Sequence, residues 1–384
     1  MPLFVIVTGE ASGDRLGAAL MCAITKACPN ARFIGVPGPL MRHAGCQPLF
    51  WQEDLAVMGF VDVIKHLALI LKRRAQLLKA VKALAPAVYI GIDAPDFNLP
   101  IERRLKKQGF KTVHVNSPTV WAWRPGRLKS IAKSVDLMLL LFPFEQAIYD
   151  RALIPAVYIG HPLADQLPID VDVEACRSAL GLLPQHPVLA ILPGSRASEL
   201  AYLAPTFLAV AKNAVAAIPH LQCCVPLINE ASLQAFRLYW QTHAPELTLH
   251  CSVANAHSVI QAADTVLVAS GTAALEVMLC HKPMVVAYRM HALNYAIAKR
   301  LVKTPYVSLP NILSEHAWVP ERLQEKATVR QLTEDVLAWF KETDRYEQTR
   351  QHFLRLHHTL RQNAAEKAAL AILNLHAKNT LSPH

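Results

Sequence analysis

Short, continuously apolar runs alternate with segments of helical periodicity along most of the chain. Such runs are typical of strands covered on both faces, as in parallel sheets with crossover helices. The predicted strands are 3–8, 32–36, 87–92, 111–115 and 137–141 in the first half, and 188–192, 221–226, 265–268 and 283–288 in the second. This pattern predicts an α/β protein with two doubly wound parallel sheets.

The apolar pattern changes at two places, which indicates the domain boundaries. Glycine, prolines and acids replace the periodicity over 159–172, and this composition predicts a hinge. After about residue 328 the strands stop, and Leu332, Val336 and Leu337 follow at helical spacing. We therefore expect an N-terminal domain over 1–165, a C-terminal domain over 166–345, and terminal helices over 346–384.

Composition bounds the class of partner. With 384 residues, 53% of them hydrophobic and 18% charged, the chain can fill the cores of about two or three domains. The net charge of +10 predicts an anionic partner, either a phosphorylated substrate or an acidic membrane surface, because the sequence contains no nucleic-acid-binding motif. The spacing of histidines and cysteines matches no metal site, and we expect neither a metal nor a cofactor.

The cysteine pattern and the apolar runs also predict a compartment. Eight cysteines without a C-x-x-C pair fit reduced thiols in the cytoplasm. The N-terminus lacks the basic start of a signal peptide, and the longest apolar run, 137–144, is far shorter than the ~18 residues of a transmembrane helix. If a membrane is involved, we expect the protein to lie on its surface.

Two carboxylates follow the apolar strand in AVYIGIDAPDFN, residues 87–98. Asp93 and Asp96 could cap a helix whose first turn contains Pro100, because such side chains accept hydrogen bonds from free N–H groups. Alternatively, Asp93 lies at the carboxyl end of a parallel strand, where ligands bind in open α/β sheets.

Glycine-bearing turns follow three other strands. TGEASGD (8–14) could bind an anion at a helix start, but it lacks both the dinucleotide fingerprint and the Walker A loop, and it could equally be a plain turn. LPGSRASE (192–199) and ASGTAALE (269–276) offer N–H donors at Gly271, Thr272 and Ala273 and a positive charge at Arg196. Ser195 and Thr272 could instead cap helices, yet two such turns in one sheet favour a nucleotide diphosphate.

Two further segments combine aromatic or apolar residues with basic ones. NSPTVWAWRPGR (116–127) places Trp121 and Trp123 in a loop after a strand, where they serve either function or packing. Residues 57–82 form a helical pattern that is basic and more apolar than a one-sided helix requires. Such a helix could enter an anionic membrane interface or hold acyl chains, or it could be an ordinary core helix.

Seven motifs, in order and spacing, resemble the lipid-A-disaccharide synthase family over about residues 3–370. They are GEASGD, GIDAPDFN, SPTVWAWRPGR, LPGSRASE, SGTAALE, YRM (288–290) and KTPYVSLPNIL (303–313). The resemblance implies the glycosyltransferase B fold, with two Rossmann-like domains facing a cleft. It implies a metal-independent, inverting transfer of 2,3-diacylglucosamine from UDP-2,3-diacylglucosamine to the 6-hydroxyl of 2,3-diacylglucosamine 1-phosphate (lipid X). UDP and the β-1′,6 lipid A disaccharide 1-phosphate are the implied products.

The same resemblance assigns roles by position. Asp93 matches the candidate general base. The matches to the substrate and UDP site are Ser12, Gly13, Arg196, Ser270, Gly271, Thr272, Glu276, Arg289 and Asn311. The matches to the lipid and membrane segment are Met58, Phe60, Val63, Ile64, Leu67, Ile70 and Leu71. The resemblance also implies a peripheral location on the cytoplasmic face of the inner membrane, and terminal helices that return to the first domain and can exchange within a homodimer.

Two other functions share these features. A UDP-sugar 2-epimerase, or another relative with the glycosyltransferase B fold, would use the same sheets and diphosphate site but would not need the basic apolar helix at 57–82. A non-enzymatic lipid or nucleotide-sugar binding protein would need no base at Asp93.

Overall fold

The computed structural model describes residues 1–55, 60–122, 125–291, 295 and 304–380, with side chains described except at 60–67, 125 and 378–380. These residues form two compact units. Unit 1 comprises Met1–Asp165 together with the chain from Leu360 onward, and unit 2 comprises Gln166–Thr359. The chain thus enters unit 2 inside the segment predicted as a hinge, and the terminal helical segment is divided between the units.

The described strands and helices alternate through both units. The strands are β1 (Leu3–Thr8), β2 (Arg32–Val36), β3 (Gln47–Pro48), β4 (Val88–Ile92), β5 (Thr112–Val115), β6 (Leu137–Leu140), β7 (Ala156–Tyr158), β8 (Val188–Leu192), β9 (Gln222–Leu227), β10 (Leu249–Val253), β11 (Thr265–Ala269), β12 (Met284–Tyr288) and β13 (Glu321–Leu323). The helices are α1 (Ala11–Ala27), α2 (Pro39–His43), α3 (Phe60–Leu84), α4 (Pro95–Lys106), α5 (Leu128–Ala132), α6 (Pro143–Arg151), α7 (Pro162–Gln166), α8 (Val173–Ala179), α9 (Ala197–Ala217), α10 (Glu230–His243), α11 (Ala256–Ala262), α12 (Thr272–Leu279), α13 (Leu309–Ser314), α14 (Val329–Lys341), α15 (Thr343–Leu360) and α16 (Ala364–Thr380).

Unit 1 is organised around a parallel sheet whose described strands lie in the order β3-β2-β1-β4-β5-β6-β7. The strand order reverses between β1 and β4, which pair directly with each other. The loops after these two strands leave in opposite directions, so the sheet opens between them at its carboxyl edge. Continuous apolar runs fill the strands because both faces are covered: Val5, Val7 and Tyr89 are fully buried and pack with Leu77 and Val81 of α3.

Unit 2 repeats this arrangement with its described strands in the order β10-β9-β8-β11-β12-β13. Here the order reverses between β8 and β11, which also pair directly. All five residues of β8 and all five of β11 are buried, in agreement with sequences that are apolar except for Thr265 at the start of β11. The second opening therefore lies between the loops that follow Leu192 and Ala269.

The last helix belongs to unit 1. Helix α16 packs along α1, and the ring of His376 contacts that of Phe4 edge-on at a centroid distance of 6.4 Å. The preceding turn is also bound to unit 1, because the Asp165 carboxylate accepts hydrogen bonds from the N–H groups of Asn363 (2.9 Å) and Ala364 (2.6 Å).

Helix α9 corrects one expectation about apolar length. Among the described residues it is the one helix long and apolar enough, by its 21 residues and composition, to cross a membrane. The sequence prediction was wrong on this point because alanines spread along α9 raise its mean hydropathy without forming an unbroken apolar run. Half of its most apolar window is buried, and the helix packs on α10 and α14, which is the environment of a core helix.

Candidate functional site

The loops predicted to bind substrate in unit 1 meet at its opening. Thr8 at the end of β1 pairs with Ile92 at the end of β4. Gly9 lies so close to the second loop that a Cβ there would stand 2.8 Å from the Cβ of Ala94. In the first turn of α1, Ser12 is exposed and Gly13 is buried. A Cβ at Gly13 would stand 3.6 Å from Cγ2 of Ile92, the residue before Asp93.

Asp93 does not cap the helix that follows it. Helix α4 begins at Pro95, and its N-cap residue is Ala94, without a side-chain cap. Asp93 is partly exposed, and its carboxylate has no hydrogen-bond or ion-pair partner among the residues that the structure describes. Asp96 accepts a hydrogen bond from Arg127 through its carboxylate and one from Arg74 through its carbonyl. Asn98 donates a hydrogen bond from its side-chain amide to the Asp93 carbonyl and so holds the loop.

Asp14, the second acid of the first glycine-bearing turn, has a structural role. Asp14 is buried, and its carboxylate accepts hydrogen bonds from the N–H groups of Gly38 (3.0 Å), Leu40 (2.8 Å) and Met41 (3.0 Å). These are free donors at the start of α2, which an acidic side chain stabilises. The turn is therefore fixed to the next βα unit through Asp14, while Ser12 remains accessible.

For the tryptophan loop the structure supports packing. Trp121 meets Phe144 edge-to-face at 5.3 Å, and Phe142 stacks on Phe144 at 5.8 Å. Glu145 is buried next to these rings, and burial raises the pKa of its carboxyl group to about 7. Trp123 lies outside the described residues.

The predicted lipid segment divides along α3. Met58 lies outside the described residues, as do the side chains of Phe60, Val63, Ile64 and Leu67. Ile70 is partly buried and packs against the core cluster of unit 1, as the core alternative expects, and its assignment to lipid contact stays a prediction. Leu71 is 51% exposed and precedes the exposed Lys72.

Unit 2 presents free backbone donors at its opening. Gly271 and Thr272, at the start of α12, are exposed, and their N–H groups have no acceptor within the described part of the chain. The N–H of Ser270 differs, because it donates to the carbonyl of Ala287 at 2.9 Å. An exposed helix start with unpaired N–H groups is favourable for an anion.

At the start of the neighbouring helix α9, the backbone N–H groups bind a side chain of the same helix, that of Glu199. Glu199 accepts hydrogen bonds from the N–H groups of Ser195 (2.9 Å) and Arg196 (3.3 Å). Ser195 therefore does not cap this helix through its hydroxyl, as one alternative expected. The Arg196 guanidinium is bound to the Glu199 carboxylate at 3.0 Å and is 70% exposed, so it remains accessible to a ligand at this edge.

Glu276 has a partner that the sequence did not reveal. Its Oε2 lies 3.1 Å from Nε2 of His257, at the start of α11. His257 follows β10, a strand that the apolar pattern did not predict, so nothing in the sequence placed it beside Glu276. The pair fixes the orientation of the Glu276 carboxylate, which is 24% exposed.

Arg289, which is partly exposed, and Asn311, which is buried, both bind other groups of unit 2. Arg289 donates to the Thr206 hydroxyl (3.1 Å) and to the Ala327 carbonyl (2.5 Å). Asn311 is 1% exposed, and its amide exchanges hydrogen bonds with the backbone of Val319 at 2.9 and 3.0 Å. In this structure both residues shape the unit from within, and their side-chain groups face protein partners.

Unit 2 also contains a cavity away from its opening. A cavity of about 410 Å³ in unit 2 is lined by Trp318, Asp344, Glu347, Gln348, Gln351 and Arg355, none of which is a predicted site residue. Within the described ranges no three His, Cys, Asp or Glu side chains come together to hold a metal ion.

The fold is shared with enzymes of nucleotide-sugar chemistry. A UDP-GlcNAc 2-epimerase from Neisseria meningitidis, solved with UDP-GlcNAc, covers 98% of this chain and 99% of its own, with a TM-score of 0.63 and 11% identity. The calicheamicin glycosyltransferase CalG4 covers 97% of this chain and 98% of its own, with a TM-score of 0.60 and 14% identity. These likenesses show the glycosyltransferase B fold.

The sequence comparisons identify the family. The model of the family described as lipid-A-disaccharide synthetase matches residues 4–373. A lipid-A-disaccharide synthase from Chromohalobacter salexigens is 47% identical over 370 residues, covering 96% of both chains. One from Haemophilus influenzae is 45% identical over 379 residues, covering 97% of both. The chain belongs to the lipid-A-disaccharide synthase family and is a glycosyltransferase of lipid A biosynthesis.

Proposed function

We propose that the chain transfers 2,3-diacylglucosamine from UDP to the 6-hydroxyl of lipid X with inversion at the anomeric carbon. The observation that carries the proposal is the partly exposed Asp93 carboxylate, which stands without a partner among the described residues at the opening of unit 1. A general base requires such a free and reachable group. Family membership supplies the substrate class for which this base is proposed.

The donor half of the reaction falls to unit 2. UDP-bound enzymes of this fold support a nucleotide-sugar donor. The free N–H groups of Gly271 and Thr272, together with the exposed Arg196 guanidinium, are suited to the diphosphate. Glu276 accepts hydrogen bonds from ribose hydroxyls. These groups stabilise the negative charge that UDP gains as it leaves.

The reaction is a single displacement. Oxygen O6 of the acceptor forms a bond to C1′ of the donor sugar while the bond from C1′ to the phosphate oxygen breaks. The proton of the 6-hydroxyl moves to the Asp93 carboxylate, and UDP departs with the bonding electron pair. An α-linked donor thereby gives a β-linked product, and only one carboxylate is needed.

The proposal includes the location of the enzyme. Its substrates carry acyl chains, and the net charge of +10 favours an anionic surface. We place it on the cytoplasmic face of the inner membrane. Within the described part of α3, Leu71 and the basic residues after it are the proposed membrane contacts. We also propose that the protein is a homodimer.

The test is to supply UDP-2,3-diacylglucosamine and lipid X and to measure the disaccharide and the UDP that are formed. Asp93→Asn removes the base and should lower kcat ~10²-fold or more, while the Kd for UDP stays unchanged. The matched control is Asp96→Asn, since an exposed ion pair such as that with Arg127 contributes about 1 kcal/mol or less.

Three results would contradict the proposal. Full activity of Asp93→Asn excludes the base. Loss of UDP binding in that variant would assign Asp93 to the donor site. Formation of an epimer of the donor without a disaccharide would make the chain an epimerase.

A further inference from the structure

The backbone that carries Asp93 is in an unusual conformation. Asp93 has φ = 53° and Ala94 has φ = 44°, so two consecutive residues with side chains lie in the left-handed region. Each such residue costs about 1 kcal/mol or more, and the conformation persists only when its surroundings impose it. The direction of the Asp93 side chain therefore depends on what holds these two residues.

Both polar backbone groups of Asp93 are bound. Its N–H donates to the carbonyl of Val115, at the end of the neighbouring strand β5, at 2.9 Å. Its carbonyl accepts a hydrogen bond from Nδ2 of Asn98 at 2.9 Å. Asn98 lies on α4, the helix that follows this loop, and is fully buried. A side chain of the next helix therefore holds the loop in place.

Asn98 is in turn oriented by a residue of the preceding strand. The hydroxyl of Tyr89 donates to Oδ1 of Asn98 at 3.0 Å, and Tyr89 is fully buried in β4. Burial raises the pKa of Tyr89 well above its ordinary value, so the hydroxyl keeps its proton. The donation decides which end of the Asn98 amide faces Asp93, because the amide oxygen accepts from Tyr89 and the nitrogen is left to donate.

Gly91 makes room for this arrangement. A Cβ at Gly91 would come within 2.9 Å of Cβ and Cγ of Asn98 and 2.2 Å of Oε1 of Glu102. The Asn98 side chain is therefore packed directly against the bare backbone of β4, and a side chain at position 91 would displace it.

We propose that Asn98, oriented by Tyr89, is the positioning residue that aims the Asp93 carboxylate at the acceptor hydroxyl. This inference rests on the proposed function, because it gives Asn98 and Tyr89 a role only if Asp93 is the base. A base works within about 2.6–3.2 Å of the proton it removes, and a displacement of 1 Å can cost ~10²-fold in rate. Neither residue touches the substrate.

The experiment is a double-mutant cycle. Tyr89→Phe removes the hydroxyl and keeps the ring, so that the Asn98 amide loses its fixed orientation, and Asn98→Leu removes the donor at similar volume. We expect kcat to fall ~10-fold and ~10²-fold respectively, with the KM for the donor and the Kd for UDP within twofold of the natural chain. In an Asp93→Asn background the same substitutions should change the residual kcat by less than twofold, because the group they position is gone.

A matched control separates positioning from general damage. Thr112→Val removes a buried hydroxyl of the same sheet at the opposite, amino end, where it donates to the carbonyl of Ser134 at 2.9 Å. This variant should keep kcat while losing a comparable amount of thermal stability. These residues all lie in unit 1, so near-UV circular dichroism and the thermal unfolding transition, rather than UDP binding, report whether each variant is folded. Tyr89→Phe provides the result if Asn98→Leu does not fold.

The outcomes are distinct. Equal losses of kcat with and without Asp93, or no loss in Tyr89→Phe, would overturn the positioning role and leave Asp93 as the base. Full activity of Asp93→Asn by itself would overturn the proposed function, and the positioning role with it.

Discussion

The buried carboxyl group of Glu145 makes the stability of the protein depend on pH in a predictable direction. Glu145 is 1% exposed, on α6, and its Oε2 accepts a hydrogen bond from the Phe142 N–H at 3.1 Å. Burial raises the pKa of this carboxyl group from 4.5 to about 7, although the Phe142 hydrogen bond favours the ionised form. The folded chain therefore retains a proton that the unfolded chain has already released at neutral pH.

The sign and size follow from the two pKa values. Below pH 4.5 both states hold the proton, and the full stability is present. Between pH 4.5 and about 7 only the unfolded state ionises, so the free energy of unfolding falls as pH rises, and above 7 the loss is complete. The difference, 7 − 4.5, is about 2.5, which corresponds to about 3 kcal/mol.

The perturbation is Glu145→Gln, which preserves the shape and an acceptor for Phe142 but does not titrate. Urea unfolding of the variant and the natural chain at pH 5 and pH 8 gives two differences in unfolding free energy. Part of the loss has already occurred at pH 5, so we expect the variant to gain about 2.5 kcal/mol relative to the natural chain between these two pH values. The comparison cancels every other titrating group that the two chains share.

The control is a glutamate whose pKa is lowered rather than raised. Glu347 is exposed, and hydrogen bonds from Arg350 and Gln351 lower the pKa of its carboxyl group to about 2. It is ionised in both states at pH 5 and pH 8, so Glu347→Gln should give the same difference at both. If Glu145→Gln also gives a pH-independent difference, burial does not raise the pKa of Glu145, and the reasoning is refuted.

Three further predictions concern the reaction. His257→Ala removes the partner of Glu276 and should raise the KM for the UDP-sugar about fivefold with kcat nearly unchanged. The control His243→Ala, at an exposed histidine, should change neither KM nor kcat, and a loss confined to kcat in His257→Ala would contradict this prediction. Leu71→Ser should weaken binding to anionic vesicles about fivefold. The control Leu153→Ser, at a leucine of the same unit that is 90% exposed, should not weaken it, and equal effects would exclude a specific contact at Leu71. Activity should survive EDTA, and a loss that Mg²⁺ restores would show a metal requirement.

The strands that the sequence did not predict share one physical property. The strands β3, β7, β10 and β13 are the outermost strands of the two described sheets. In β10 four of the five residues are partly exposed, and β3 and β13 contain Gln47, Pro48 and Glu321. Edge strands are covered by a neighbour on one side only, so they need no continuous apolar run and leave no such signal. Interior strands such as β1, β2 and β8 have the predicted bounds because burial on both faces dictates their composition.

The motif residues of the candidate site fall into two groups, according to where their polar groups are directed. Motif residues at the two openings, such as Asp93, Gly271 and Arg196, are accessible. Arg289, which is partly exposed, and Asn311, which is buried, carry the same kinds of donors and acceptors, but these bind protein groups of unit 2. Residue type and spacing cannot separate these two uses, because a carboxylate, amide or guanidinium binds a backbone group by the same hydrogen bonds with which it binds a ligand.

Burial also decides which measurement each residue should affect. A polar side chain that satisfies buried backbone groups contributes mainly to the free energy of unfolding, as the three hydrogen bonds of Asp14 illustrate. An accessible group without a partner contributes nothing of this kind, and its removal should appear in kinetics or binding alone. Asn98 is a buried and partnered side chain of the first kind, yet we expect it to affect the rate as well, because the backbone group it binds is that of the proposed base. A motif residue can therefore be buried and still govern the rate, provided that the strained backbone it holds carries the reacting side chain.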